Sequence, residues 1–294
     1  MHRSGACAFS QMEHQPSPPG DAGRYPTEMK TLAILLTILA IQCSTVLAES
    51  FRIATYNLNW NNRHGDQVLD AISTAKPDLI CFQETTLQSE RFLREKLSVD
   101  FPHFISAGHA GKYAAERFAF ASKTPLSNPK FTPPDAGLFG FYSTTISVGG
   151  TAIHVVNVHL SPVVLQRGDR ITAVMNELSR TEAKHEIEIA AITGAIDVRR
   201  PTIVVGDFNS ISTFVAPKTL TQHGMIDSFA SIHDDADTQP TWSWPTRPLP
   251  ISLRIDYIFH TPHFVTSESA IIQREGSDHY LLVSELQRVA PDGG

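Results

Sequence analysis

The chain has 294 residues, of which 41% are hydrophobic and 18% charged, and its formal net charge is −6. An acidic chain lacks the dense basic surface that most nucleic-acid-binding proteins carry, although a bound divalent cation can reverse the field locally. Cys81 is the single cysteine after residue 48, so an intrachain disulfide is excluded in that part.

The first 48 residues differ in composition from the rest. Residues 1–28 are rich in Pro, Gly, Ser and His without an apolar period, which predicts a disordered extension or a mis-assigned start with Met29 as the true initiator. Residues 29–48 hold Lys30, a short apolar run and Ala48, the order of a secretory signal peptide; the alternative is a buried strand or helix. We expect an exported protein, periplasmic or extracellular, with residues 49–294 as one domain.

Apolar patterns after residue 49 predict alternating strands and helices. The predicted strands are Phe51–Asn57, Asp78–Gln83, Arg117–Ser122, Tyr142–Val148, Thr151–His159, Thr202–Val205, Arg254–Phe259 and Tyr280–Leu286. The predicted helices are Asp66–Ala75, Ser89–Leu97 and Arg167–Asp197, with a helical or irregular piece at Phe214–His223. We also predict two loops: residues 125–140, which contain Pro and Gly, and residues 240–251, which are rich in Trp and Pro.

Polar side chains stand at or beside the predicted strand ends in six segments. They are Asn57, Glu84, His159, Asp207 with Asn209, Asp256, and Asp278 with His279. Gly206 interrupts the β-branched run before Asp207, and residues i and i+2 of an extended chain share a face. Asp207 and Asn209 then form a hard-oxygen pair suited to Mg²⁺ and a phosphate oxygen; an Asx-type turn is the alternative. Antiparallel strands separated by helices predict two packed sheets that gather these ends at one rim.

The segments TYNLN, FQET, NVHLSP, GDFNS, RIDYIF and SDHYLL resemble, in order and spacing, those of the endonuclease/exonuclease/phosphatase superfamily, which includes deoxyribonuclease I. The resemblance runs from Phe51 to about Leu286, and the chain is similar to exported bacterial members. It implies a four-layer α/β/β/α sandwich of two mostly antiparallel sheets with outer helices.

The resemblance also implies a Mg²⁺ site, with Mn²⁺ as the alternative metal. Glu84 matches the main ligand, and the alternative for this residue is an N-cap of the following helix. Asn57 and Asp278 would support or ligate the metal. Asn59 stands where some relatives carry an aspartate, and no direct ligand role is assigned to it.

The catalytic roles that the resemblance implies are those of one-step hydrolysis. Asp207 would orient or deprotonate the attacking water, and Asn209 would hold a phosphate oxygen. His279 would lie beside the phosphate, with Asp256 accepting the hydrogen of its other ring nitrogen. No Ser or Cys stands in a nucleophile motif, so no covalent intermediate is required.

His159 resembles the second catalytic histidine of the family, a phosphate binder or leaving-group acid. Glu116 matches the position of the carboxylate partner of this histidine. The other histidines of residues 49–294 stand in no motif, and we assign them no role.

Three functions stay open because substrate choice depends on loops at the rim. The first is a secreted phosphodiesterase or phosphatase for a lipid headgroup or small phosphoester. The acidic charge and the apolar segment 242–251, which would allow peripheral membrane contact, favour it. The second is an extracellular endonuclease or exonuclease, although its candidate contacts are few and are typical of a solvated face. These contacts are Lys112, Tyr113, Arg117, Arg167 and Arg170. The third is a non-catalytic protein that binds a phosphate ligand.

Overall fold

A computed structural model describes residues 49–108, 116–135, 137–164, 171–245 and 251–289. The predicted extension and signal peptide, and the candidate contacts Lys112, Tyr113, Arg167 and Arg170, lie outside the described residues. Within the described ranges, no helix combines the length and the apolar character that crossing a membrane requires.

The described residues form fourteen strands and four α-helices. The strands are β1 (Ser50–Asn57), β2 (Leu79–Gln83), β3 (His103–Gly108), β4 (Arg117–Ser122), β5 (Ser127–Thr132), β6 (Phe141–Val148), β7 (Thr151–His159), β8 (Thr202–Asp207), β9 (Ile226–Asp227), β10 (Trp242–Trp244), β11 (Ile251–Leu253), β12 (Asp256–His260), β13 (Phe264–Ile272) and β14 (Leu281–Arg288). The helices are α1 (Gly65–Ala75), α2 (Leu87–Leu97), α3 (Ile171–Ala195) and α4 (Val215–Gln222), and a 3₁₀ turn covers Ala236–Thr238.

Twelve of these strands make two six-stranded sheets. The first sheet has the order β13-β14-β1-β2-β4-β3, and the second has the order β5-β6-β7-β8-β12-β9. Each sheet contains one parallel pair, β1 with β2 and β7 with β8, and its other pairs are antiparallel. The remaining strands, β10 and β11, form a separate hairpin.

Three apolar clusters hold four layers together. The central one joins both sheets, with Phe120 from the first sheet and Val205 from the second among its fully buried members. The second cluster packs α1 and α2 on the outer face of the first sheet, and the third packs α3 and α4 on the outer face of the second. The predicted α/β sandwich is confirmed. Cys81 is a buried, free thiol inside β2.

Two strands, β5 and β13, were not predicted because the residues on their exposed faces are mostly polar. β5 (SNPKFT) is largely exposed and contains a proline, so its pattern is that of a loop. β13 alternates only over its first four residues, and it carries buried Thr266 and exposed Ser267 and Glu268. The predicted loop at 240–251 contains β10 and extends to the first residue of β11. Each of these strands has three residues, which is too few for an alternating pattern to be recognised in the sequence.

The predicted strand ended at Val205, before Gly206, but the observed strand continues through this glycine. β8 continues to Asp207, and Gly206 has a φ of +146° within it. A Cβ atom at this position would lie 2.0 Å from the carbonyl oxygen of Val158 on the neighbouring β7. Glycine is therefore needed here because two central strands approach closely just before the polar residues that follow them.

Candidate active site

The ends of the two parallel pairs place the polar residues at one rim. In the first sheet Asn57 pairs with Gln83, and Glu84 follows directly. In the second sheet His159 and Asp256 both pair with Asp207, from its two sides.

Asn57 joins the two sheets through its side-chain amide. Its Nδ2 donates to Glu84 Oε1 at 3.2 Å and to Asp207 Oδ2 at 2.9 Å, while its Oδ1 accepts the backbone N–H of Asn59 at 2.9 Å. The N–H of Asn59 can only donate, so it fixes which end of the amide faces the carboxylates. In this arrangement Asn57 holds two carboxylates together through its nitrogen, and its role as a metal ligand stays a prediction.

His279 is held between two aspartates of the second sheet. Its Nδ1 lies 3.0 and 3.2 Å from the two carboxylate oxygens of Asp256, and its Nε2 lies 3.6 Å from Asp207 Oδ2. Burial alone would lower the pKa of His279, but the charges of Asp256 and Asp207 outweigh it and raise that pKa to about 10. The imidazole is therefore kept positively charged by its neighbours.

Asp207 is oriented by the turn that follows β8. The backbone N–H of Asn209 donates to Asp207 Oδ1 at 2.8 Å, and the Asn209 side chain donates to the Leu160 carbonyl at 3.0 Å. Asn209 adopts a left-handed φ of +46°, and its Nδ2 also donates to Asp207 Oδ2 at 3.3 Å. Burial raises the pKa of Asp207 to about 7; Asp256 adds to the rise, and His279 opposes it. A carboxylate with such a pKa is suited to accepting a proton near neutral pH.

Glu84 projects from the first sheet in a left-handed backbone conformation, with a φ of +53°. This conformation is uncommon for a residue with a long side chain and marks strain at a functional site. The backbone N–H of Trp60 donates to Glu84 Oε2 at 3.0 Å. Burial raises the pKa of Glu84, and the hydrogen bonds from Trp60 and Asn57 only partly offset this effect.

Asp278 accepts one hydrogen bond on each carboxylate oxygen. Asn59 Nδ2 donates to Oδ1 at 2.8 Å, and the indole Nε1 of Trp242 donates to Oδ2 at 3.0 Å. Asp278 thus connects the loop after β1 with the β10–β11 hairpin. Whether it also ligates a metal stays a prediction.

His159 lies under the carboxylates with 2% of its side chain exposed. Its Nε2 is 3.5 Å from Asp207 Oδ2 and 3.7 Å from Glu84 Oε1, and its ring stacks on Phe139 with centroids 3.8 Å apart. Burial lowers the pKa of His159 to about 3, with the charge of His279 adding to the effect, so the ring is neutral. Its Nδ1 has no hydrogen-bond partner among the described residues. The expected pairing with Glu116 is therefore not formed.

Several residues that support the site were missed by sequence reasoning. Asn59 was assigned no ligand role, and Trp60 directly follows the TYNLN motif, so the motif was the available signal for both contacts. Ser277 donates to the Asn57 carbonyl at 2.8 Å and accepts from the His279 backbone N–H at 3.1 Å. Phe139 and Trp242 come from predicted loops, where a single aromatic residue gives no signal of its contact with the site.

The donor set fits a divalent cation. Ligand-type atoms of Asp207, Asp256 and His279 lie within 4.8 Å of one another, and of these the two carboxylates can ligate a cation while His279 stays protonated. Glu84 is tied to this group through Asn57. Carboxylate oxygens are the ligands of Mg²⁺ and Mn²⁺. The raised pKa values of Glu84 and Asp207 show buried carboxylates short of compensating positive charge, which a bound cation would provide.

The two packed sheets with outer helices define the class of the protein as an α/β sandwich with a rim of carboxylates and imidazoles. The chain belongs to the endonuclease/exonuclease/phosphatase family, whose model matches residues 54–279. Members of this family hydrolyse phosphoesters and generally depend on divalent metals. No curated protein matches the sequence.

Solved structures of the family share the fold. An endonuclease/exonuclease/phosphatase from Beutenbergia cavernae is 18% identical with a TM-score of 0.62, covering 82% of this chain and 72% of its own. D. rerio TDP2 in complex with a single-strand DNA product is 16% identical with a TM-score of 0.62, and the match covers 81% of this chain and 99% of the TDP2 chain. The 3′ phosphatase NExo from Neisseria, bound to a product DNA hairpin, is 18% identical with a TM-score of 0.56, covering 80% and 98%.

Proposed function

We propose that the protein is an exported, divalent-metal-dependent hydrolase of a small phosphoester or a lipid headgroup. The observation that carries this proposal is the convergence of Glu84 from the first sheet with Asp207 and His279 beside the second, joined by the Asn57 amide. The signal-peptide pattern at residues 29–48 supports export.

The side chains divide the work of water attack on phosphorus. Asp207, with a pKa near neutrality, orients the water and accepts its proton. His279, held positively charged by Asp256, and the Asn209 amide stabilise the charge that develops on the phosphate oxygens. Glu84 would hold a divalent cation together with Asp278, and that cation supplies further positive charge to the phosphate and the departing oxygen. His159 offers one N–H beneath the site.

The β10–β11 hairpin supports a substrate with an apolar part. Trp244 and Ile251 are 50% and 49% exposed, and the hairpin contacts the site through Trp242, which bonds to Asp278 and bridges to His279. Exposed aromatic and aliphatic side chains beside a phosphate site suit a lipid surface or a ring on the departing alcohol.

A nuclease is the second candidate, and the DNA products bound to TDP2 and NExo favour it. One of its candidate contacts is already used: Arg117 makes two bonds to Glu90, at 2.7 and 3.0 Å. This pairing leaves fewer cations for a phosphate backbone and supports the small phosphoester.

A substrate panel with and without Mg²⁺ or Mn²⁺ tests the proposal. It should contain bis-p-nitrophenyl phosphate, a nucleoside monophosphate, inositol phosphates, sphingomyelin, RNA and plasmid DNA. We expect metal-dependent turnover of a small ester or a lipid, lost in Glu84→Ala and His279→Ala variants that retain a native circular dichroism spectrum. Rapid plasmid nicking would establish the nuclease instead. Metal and phosphate binding without turnover of any substrate would establish the binding protein.

A further inference from the structure

A cavity of about 600 Å³ opens beside Glu84, between the loop after β1 and the start of α2. Two residues of its wall contact the carboxylates of the site. The Trp60 backbone N–H donates to Glu84 at 3.0 Å, and the Asn59 side chain donates to Asp278 at 2.8 Å. A group bound in this cavity would therefore lie next to a phosphate held at the rim.

The lining of the cavity combines an apolar floor with uncharged polar walls. Leu58, Val68 and Leu93 are buried and form the floor, and the half-buried Phe92 and the 52% exposed Trp60 also line the cavity. Arg63 is the only charged residue among those that line the cavity in the described part of the chain, and no carboxylate lines it. In an acidic protein, this composition suits a neutral or electron-rich ring better than a cationic group.

The polar walls hold hydrogen-bonding groups that the protein does not use. The side chains of Asn61, Arg63 and Gln88 make no hydrogen bond or ion pair within the described ranges. Asn62 Oδ1 accepts the His64 backbone N–H at 2.7 Å, which fixes the amide, while its buried Nδ2 has no partner among the described residues. The free amides of Asn61 and Gln88 and the guanidinium of Arg63 are therefore the groups of the wall that a ligand could bond to.

We propose that this cavity binds the nucleoside part of a small nucleotide phosphoester, whose phosphate then lies at Glu84. A nucleobase has a flat apolar face for Trp60 or Phe92, and donors and acceptors on its edge for the amides of Asn61 and Gln88. An acyl chain would fill the floor but would bury the amides without partners. An inositol polyphosphate would find one cation, Arg63. The inference rests on the proposed function, for which it names the substrate class.

Calorimetric titration of the full-length protein with adenosine tests this inference without metal or turnover. We expect saturable binding to the wild type. Trp60→Ala, which keeps the backbone N–H to Glu84, and Gln88→Ala, which removes an amide without a partner in the described ranges, should each weaken it at least about tenfold. Leu87→Ala is the matched control, because Leu87 is 64% exposed on the same helix and does not line the cavity. Asn61→Ala serves as a further cavity variant should Gln88→Ala fold poorly.

The outcomes separate the two proposals. Saturable adenosine binding that Trp60→Ala weakens and Leu87→Ala does not supports the cavity. No saturable adenosine binding, equal binding by these two variants, or preferential binding of monomeric dihexanoylphosphatidylcholine overturns the inference. Hydrolysis of bis-p-nitrophenyl phosphate is scored separately. Turnover without adenosine binding overturns the inference alone, and adenosine binding without turnover in any divalent metal overturns the proposed function alone.

Discussion

Both sheets contribute residues to the site from the ends of a parallel strand pair, but the residues of the two sheets differ in burial. Each sheet has one parallel pair, and the ends of both pairs meet at one rim. The second sheet ends in His159 and Asp207, whose side chains are 2% and 1% exposed. The first sheet delivers Glu84 one residue beyond its strand, in a left-handed conformation and with 18% of its side chain exposed.

This difference indicates a division of labour. Burial raises the pKa of Asp207 and lowers that of His159, and the aspartates of the second sheet raise the pKa of the adjacent His279, which suits proton transfer and charge stabilisation. The more open side presents a carboxylate where a cation and a substrate can enter. The sheets are joined at the rim by the Asn57 bond to Asp207 and, below it, by a bond from Gln83 Nε2 to Asn157 Oδ1 at 2.7 Å.

The largest expected effect decides which sheet holds the metal. Glu84→Gln should raise the metal concentration for half-maximal activity at least about tenfold and lower the rate by about 10² to 10³. Asp207→Asn should cause a similar rate loss with little change in metal requirement, because we assign it to the water. Metal titrations of activity and calorimetry with Mn²⁺ measure both. If Asp207→Asn alone weakens metal binding, the cation belongs to Asp207 and Asp256 of the second sheet rather than to Glu84.

The central strands were predictable because burial leaves a plain signal in them. The apolar runs of β2 and β8 and the alternation of β7 mark strands in any context, and β4 and β7 have the predicted bounds. Polar residues after such strands meet at one rim because parallel strands end together. The edge strands β5 and β13 gave no such signal, since their exposed faces carry the residues of loops.

The details of the site could not be predicted because they depend on contacts across the chain. The left-handed conformation of Glu84 and the orientation of the Asn57 amide are set by neighbours that no local pattern encodes. The expected partnership of Glu116 with His159 failed for the same reason. A sequence motif therefore predicts the backbone position of a side chain, whereas its hydrogen-bond partner depends on tertiary packing.

Gly206→Ala should disturb the second sheet more than any conservative change disturbs the first. The new methyl group would meet the Val158 carbonyl, and a φ of +146° strains any residue with a Cβ. We expect a loss of about 3 kcal/mol in the free energy of unfolding, measured by urea titration, because strain and overpacking add. Gly194→Ala in α3 is the control: a Cβ there meets nothing within 4 Å, so stability should hold or rise. Equal stability of the two variants would contradict this account of β8.

Asn157→Leu tests the buried link between the sheets. The substitution leaves Gln83 Nε2 without its Asn157 acceptor and also removes the bond from Asn157 Nδ2 to the Phe82 carbonyl at 3.0 Å. We expect a loss of about 2 kcal/mol in stability. The double variant with Gln83→Leu should recover part of it, because two apolar partners leave fewer buried groups unsatisfied. Purely additive losses would show that the amides act independently and that the link does not join the sheets.

The smallest expected effect concerns the contact of the first sheet with the hairpin. Trp242→Phe keeps an aromatic ring and removes only the N–H that donates to Asp278 Oδ2 at 3.0 Å. We expect a loss of about 1 kcal/mol in the free energy of unfolding, the usual net contribution of one hydrogen bond. Trp244→Phe is the matched control, since its indole makes no hydrogen bond within the described residues and is half exposed. Because Asp278 also accepts from Asn59, Trp242→Phe should leave the loop after β1 in place, whereas adding Asn59→Ala should release it. If Trp242→Phe and Trp244→Phe are equally stable, the hydrogen bond from Trp242 to Asp278 contributes nothing measurable. The β10–β11 hairpin would then only pack beside the site, and the exposure of Glu84 would not depend on the hairpin.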